Sequence, residues 1–292
     1  MEKQEHFTPQ PTADGSYTFY SSVFGESFHS QFGAKQEAER KFVEPLNLRQ
    51  RAQHSPLFLL DICYGLGYNS AAALTAIWET NPDCQIELIA LELDETVPKS
   101  AIAHHLLESY PAEIVELLTQ FSTTHSLNCD RLQAKLLLGD ARITLQQVRS
   151  SEFKADAIFL DPFSPPVCPQ LWTVEFLSVV AQCLKPDGKL ATYSCSATVR
   201  SALLAAGLTI GSTSPVGRRT PGTVAGFSAA LPPLSTSELE HLQTRAAVPY
   251  RDPELNDNAE SIIQRRYQEQ QSSSLEPTSQ WKKRHRVQAG SE

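Results

Sequence analysis

Short apolar runs punctuate the chain at residues 57–63 (LFLLDIC), 86–94 (IELIALELD), 134–140 (AKLLLGD), 156–161 (DAIFLD), 189–195 (KLATYSC) and 223–230 (TVAGFSAA). Few polar residues interrupt them, as expected of strands buried on both faces. Between the first five lie stretches with helical character: Tyr68 to Trp78, Thr96 to Leu107, Ala112 to Phe121, Ala141 to Val148 and Leu171 to Leu184. This alternation predicts an α/β fold, a mainly parallel sheet with helices on both faces. Lys185-Pro186-Asp187-Gly188 predicts a turn into the fifth run.

The flanks differ in pattern. Residues 17–30 (YTFYSSVFGESFHS) alternate in places like a hairpin, and Ala34, Ala38 and Phe42 share a helical face that ends at Pro45. Past residue 231 a helix is expected over 237–247, and 250–292 is rich in Gln, Ser, Arg and Glu. That tail is expected to be disordered or laid across the core surface. The organisation predicted is an N-terminal appendage (1–55), a catalytic domain (56–232) and a C-terminal helix and tail (233–292).

Composition narrows the class without naming it. No apolar run approaches the roughly 20 residues that span a bilayer, and the polar N-terminus has no signal-peptide core. The 6 cysteines are scattered without metal-ligand spacing, so a metal-free cytoplasmic protein with reduced thiols is expected; a monomer is expected as well. A net charge of −8 argues against bulk nucleic-acid binding, although Lys282, Lys283, Arg284 and Arg286 form a local basic patch.

Candidate chemistry sits at the ends of the apolar runs. The first feeds Asp61-Ile62-Cys63-Tyr64-Gly65-Leu66-Gly67-Tyr68-Asn69. Gly65 and Gly67 permit a tight strand-to-helix turn and close approach of a ligand. The third glycine of the dinucleotide fingerprint is missing, which weakens a nicotinamide reading. The second run carries Glu92, either a ribose acceptor or a solvated charge. The third ends in Gly139-Asp140-Ala141, where Asp140 either meets an adenine amino group or caps the next helix. The fourth ends in Asp161, with prolines at 162, 165, 166 and 169. Each feature alone has an ordinary structural explanation. The series of acid-tipped strands points to an adenosine-binding crevice at the carboxyl edge of the sheet.

In that order the motifs resemble the class I S-adenosylmethionine-dependent methyltransferases over residues 57–230. With DGSYTFYSSVFGESFHSQFGAKQEAERKFV, FLDPFSPPVCPQLWT and the tail through Trp281-Lys282-Lys283-Arg284 included, the chain is similar to the MnmC-type methyltransferase family. It reads Asp161-Pro162-Phe163-Ser164-Pro165 where the bifunctional members read Asp-Gly-Phe-Ala-Pro, and its glycine loop has one glycine fewer. The resemblance implies a Rossmann-like sheet of seven strands and S-adenosyl-L-methionine bound near Asp61, Tyr64, Gly65, Gly67, Asn69, Glu92, Asp140, Ala141 and Asp161. It implies tRNA as substrate, and methylation of 5-aminomethyl-2-thiouridine at the wobble position. No second glycine fingerprint follows, so the flavin oxidase step of the bifunctional enzymes is not expected.

Methyl transfer to an amine needs the neutral nucleophile, whereas a lysine-like amine has a reference pKa of about 10.4. A carboxylate beside the sulfonium can bind the ammonium and take its proton; Asp161 is the candidate, against the alternative of a turn-initiating Asp-Pro. Phe163 and Trp172 are candidate contacts for a base, Arg218 and Arg219 for phosphate, and Tyr20, Glu26 and His29 for closure over the site. Three alternatives carry different predictions. A carbon methyltransferase would use Cys168 or Cys195 as nucleophile. An aminopropyltransferase would need a richer glycine–aspartate loop. A non-catalytic tRNA- or protein-binding module would not bind the cofactor.

Overall fold

The computed structural model of the protein describes residues 7–216, 220–227 and 230–289, with side chains to Arg284. Strands β1 (Leu57–Ile62), β2 (Ile86–Glu92), β3 (Ser126–Asn128), β4 (Leu132–Leu138), β5 (Ala155–Leu160), β6 (Leu184–Thr192), β7 (Thr209–Ser212) and β8 (Thr223–Gly226) form one sheet. Their spatial order is β7-β8-β6-β5-β1-β2-β4-β3. The central five, β6, β5, β1, β2 and β4, run parallel, while β8, β7 and β3 pair antiparallel at the two edges. The sheet therefore has 8 strands where seven were expected. Two strands lie outside the six apolar runs: β3, a three-residue edge strand of Ser-Leu-Asn, and β7, Thr-Ile-Gly-Ser at the other edge.

Every residue of β5 is buried, as a strand covered on both faces requires. On one face lie α1 (Tyr68–Thr80), α2 (Thr96–Ala103) and α3 (Ala112–Thr124), together with the N-terminal segment through Phe42, Val43 and Leu46. On the other lie α4 (Ala141–Ser150), α5 (Val174–Gln182) and α6 (Ala197–Ala205). The expected helix from Leu171 to Leu184 is broken: Pro169–Trp172 is a 3-10 turn, and Thr173 caps α5 by accepting the Phe176 amide at 3.2 Å. Lys185 to Gly188 lie inside β6, where the register against β5 shifts between Leu184 and Lys189, so the turn signal marks a bulge.

The N-terminal segment folds as two short antiparallel pairs, Gln10–Pro11 with Tyr17–Thr18 and Tyr20–Ser21 with Glu26–Ser27. Helix Ala34–Glu37 follows, its first amides held by the Ser16 hydroxyl and the Asp14 carboxylate at 3.0 and 2.8 Å. It widens into a π-helical turn, Ala38–Val43, with the Glu44 amide reaching back five residues to the Glu39 carbonyl at 2.9 Å. The tail is ordered on the sheet's opposite face. After α7 (Thr236–His241), Tyr250 pairs with Thr173 and is buried, as is Ile262 of α8 (Ala259–Ser272); α9 (Thr278–Ala289) follows. Among the described residues no helix is long and apolar enough to cross a membrane.

Candidate active site

The chain runs from β1 outward through β2 to β4 on one side and through β5 to β6 on the other. Such a switch point opens a crevice at the carboxyl ends of the strands. A cavity of about 570 Å3 lies there, lined by residues from the end of β2, the loops after β4 and β5, and the N-terminal hairpin and helix.

The first strand-to-helix turn is built by conformation. Cys63, Gly65 and Gly67 have φ of 68°, 56° and 85°, and Gly67 is the residue preceding α1. A side chain at Gly67 would place its Cβ 2.7 Å from the Tyr64 hydroxyl. Gly65 lines the cavity and donates its amide to Glu92 Oε2 at 2.8 Å. Glu92 Oε1 accepts the Leu93 and Asp94 amides at 2.8 and 3.0 Å. Burial holds this carboxyl above its ordinary pKa although those amides pull it down. Three of its roughly four acceptor sites are thus used, leaving capacity for a ligand hydroxyl.

Asp140 caps α4, accepting the Arg142 amide at 2.8 Å, and it also lines the cavity, so both sequence alternatives describe it in part. The Arg142 guanidinium grips Asp140 at 2.7 Å and reaches the buried Asp252 at 2.9 Å and the Asp257 carbonyl at 2.8 Å. The tail is thereby tied to the cavity rim. Ala141 lines the cavity too, and as the first residue of α4 its amide has no intrahelical acceptor.

Asp161 stands on the cavity wall just past β5. Asn69 Nδ2 donates to its Oδ2 at 2.8 Å. Burial pushes the carboxyl up to about 7; the Asn69 bond opposes the rise, Glu37 and Asp61 add to it, and Lys41 lowers it. That value suits a group that both holds and accepts a proton near neutral pH.

The hairpin closes over this loop. Glu26 accepts the Ser164 amide at 3.0 Å and the Ser164 hydroxyl, Phe24 stacks on Phe163 at 4.3 Å, and Phe28 meets Phe163 edge-on at 5.0 Å. His29 lines the cavity, and burial takes it down to about 4 against Glu37 and Asp14, so it is neutral there.

Several expected contacts fall elsewhere. Asp61 is 0% exposed beneath the glycine turn and accepts the Ser70 hydroxyl at 2.7 Å; burial lifts it to about 7. Tyr64 turns into the core, edge-on to Phe121 at 5.6 Å. Trp172 is also 0% exposed, its indole N–H donated to the Phe163 carbonyl at 2.8 Å, so it supports the loop and cannot receive a base. Phe163 already has its ring faced by Phe24. Asn69 reaches the crevice only through Asp161, and Tyr20 lies outside the cavity lining. Arg218 and Arg219 lie outside the described residues. Sequence reasoning missed Glu37, Lys41 and Arg142. The first two lie in the segment expected as a short helix, where only the apolar positions Ala34, Ala38 and Phe42 gave a signal. Arg142, two residues beyond Asp140, could have been found as a cap partner. For the cysteine alternative, burial pushes the Cys168 thiol up to about 12, far from a thiolate nucleophile.

A model of an S-adenosyl-L-methionine-dependent methyltransferase family matches residues 98–228. With the switch-point crevice, this defines a class I S-adenosylmethionine-dependent methyltransferase. The crystal structure of MnmC2 from Aquifex aeolicus is 35% identical and superposes with a TM-score of 0.82, covering 93% of this chain and 87% of that one. The chain accordingly belongs to the MnmC-type methyltransferase family. An uncharacterized protein of Methanocaldococcus jannaschii is 29% identical over 274 residues, 90% of this chain and 72% of that one. The tRNA 5-methylaminomethyl-2-thiouridine biosynthesis bifunctional protein MnmC of Aromatoleum aromaticum is 32% identical over 206 residues, 67% of this chain. The chain spans only 31% of the length of that bifunctional relative.

The residues present fit the cofactor. A cavity of this size suits a nucleoside-sized ligand. Glu92 keeps acceptor capacity for ribose hydroxyls, and Gly65 brings bare backbone to the wall. The carboxylates facing the cavity suit a ligand bearing a sulfonium and an ammonium.

Proposed function

We propose that the protein methylates the aminomethyl nitrogen of 5-aminomethyl-2-thiouridine at the tRNA wobble position, acting in the cytoplasm as a monomer. Residues 56–232 would carry the chemistry, the N-terminal appendage would close the site, and the tail would brace its adenosine end. The observation that carries the reading is Asp161, a carboxyl on the crevice wall raised to about 7, in a chain similar along most of its length to MnmC2.

When bound, S-adenosylmethionine supplies an electrophilic methyl group. Asp161 is suited to receive the acceptor's ammonium and take a proton onto its carboxylate, releasing the nitrogen lone pair. Asn69 holds that carboxylate by one oxygen, leaving the other for the acceptor. The Phe24–Phe163 stack and the Glu26–Ser164 contact fix the proline-rich loop against the hairpin. Alignment of amine and methyl would supply much of the rate, since effective molarities of about 10⁵ M and above are accessible to well-placed groups. The exposed Lys282, Lys283 and Arg284 supply positive charge for a phosphate backbone, and Arg218 and Arg219 are proposed to add to it.

The test is incubation of the purified protein with S-adenosylmethionine and tRNA carrying 5-aminomethyl-2-thiouridine, followed by nucleoside mass spectrometry. One added methyl on the aminomethyl nitrogen is expected. Methylation of a ring carbon, or an unchanged nucleoside alongside demonstrable cofactor binding, would overturn the substrate assignment.

A further inference from the structure

The charged groups facing the crevice are unevenly matched. Among the described residues, Glu26, Glu37, Glu92, Asp140 and Asp161 line it, against two cations, Lys41 and Arg142. Arg142 is consumed by Asp140, Asp252 and the Asp257 carbonyl. Lys41 is only 3% exposed, lines the cavity, and makes no hydrogen bond or ion pair with any described residue. A buried ammonium left without a partner is costly unless a ligand completes it.

Its position is fixed from two sides. Lys41 belongs to the π-helical turn Ala38–Val43, a rare geometry that recurs at functional sites. The next residue, Phe42, packs edge-on against Phe159 of β5 at 6.1 Å, which sets the turn over the strand that leads to Asp161. Glu92 lies at the end of β2, two strands across the sheet from β5. An adenosine anchored at Glu92 would therefore direct the amino-acid arm of the cofactor toward Asp161, Glu37 and Lys41.

That arm holds one anion, the α-carboxylate, and among the described residues lining the crevice Lys41 is the cation whose donors remain free. We propose that Lys41 receives the cofactor's α-carboxylate and is the residue that makes the site select S-adenosylmethionine over its decarboxylated form. Without Lys41 the described wall would present carboxylates and a cation, Arg142, that is already engaged by them, a lining that favours the more cationic, decarboxylated ligand. The inference rests on the cofactor and not on the identity of the acceptor, so it is tested by binding without tRNA.

Isothermal titration of the whole chain with S-adenosylhomocysteine, 5′-methylthioadenosine and decarboxylated S-adenosylmethionine separates the outcomes. Lys41→Met keeps the length of the side chain and removes its charge. It is expected to weaken S-adenosylhomocysteine by about 10- to 100-fold, the worth of a charge-assisted hydrogen bond. Affinity for 5′-methylthioadenosine, which has no amino-acid arm, should stay within about two-fold, well inside the range set by loss of a single weak contact. Equal weakening of both ligands would make Lys41 a packing residue, and no change in either would remove it from the site. Should the variant fail to fold, the wild type, titrated with S-adenosylmethionine as well, decides alone: tighter binding of the decarboxylated ligand than of S-adenosylmethionine overturns the assignment. A wild type that binds none of the three defeats the cofactor reading itself.

Discussion

The two ends of the crevice are built on opposite plans. At the β2 and β4 end the carboxylates are occupied: Glu92 takes three backbone amides, and Asp140 is held by Arg142, which the tail's Asp252 holds in turn. At the β5 end, among the described residues, Asp161 has a single side-chain hydrogen-bond partner, Asn69, and Lys41 has none. Saturated carboxylates make a rigid surface whose remaining lone pairs point one way, which suits recognition. Under-partnered groups retain capacity for a substrate and carry the electrostatic cost of doing so. The contrast supports the proposed division, with cofactor binding at one end and proton handling at the other.

Breaking the reactive end should have the largest effect on turnover. Asp161→Asn is expected to lower the rate of methyl transfer by about 10²- to 10⁴-fold, the range for a lost general base, with cofactor affinity changed only a few-fold. Single-turnover transfer and cofactor titration on the same preparation check this; a loss confined to cofactor affinity would merge the two ends.

Breaking the saturated end should act on binding instead. Glu92→Gln sets an amide NH2 among the converging Gly65, Leu93 and Asp94 donors. Each stranded buried donor costs roughly 1–3 kcal/mol, so cofactor affinity should fall by about 10- to 100-fold while transfer at saturating cofactor changes little. A fall in the saturated rate with unchanged affinity would contradict the division.

The hairpin offers the smallest perturbation. Phe24→Ala removes the stack on Phe163 and, at about 0.5–1.5 kcal/mol for an aromatic pair, should raise the acceptor KM by roughly 2- to 10-fold. Steady-state kinetics with tRNA and a thermal melt distinguish this from general destabilisation, which would move both.

Much of this architecture was legible in the sequence, because the apolar strand runs carry their own signal. LFLLDIC and DAIFLD became adjacent central strands, and Glu92, Asp140 and Asp161 met at one cavity as the series predicted. Strand tips converge by topology, so acids placed there need no further information. Side-chain direction was not legible in the same way. Tyr64 sits between two cavity-lining positions, Cys63 and Gly65, yet turns into the core, because positive φ values on either side rotate the chain. Trp172 follows the Asp-Pro loop yet is 0% exposed, since its indole is needed to hold the Phe163 carbonyl. Lys41 and Glu37 escaped because a helix far upstream in sequence contributes to the site only through long-range packing.

The most direct test of the division is the pH dependence of stability in wild type and Asp161→Asn. A carboxyl raised from 3.8 in the unfolded chain to about 7 in the fold binds more protons when native. Its contribution is therefore favourable at acid pH and is lost as pH rises through that interval, so the ionised form weighs on the native state above it. Asp61, raised similarly, acts in the same direction in both proteins. Denaturant unfolding at pH 5 and pH 8 should show wild type losing stability with rising pH, and the variant losing less by roughly 1–3 kcal/mol after allowance for solvent in the crevice. The same change with pH in both proteins would contradict the account, and return Asp161 to the status of a turn residue.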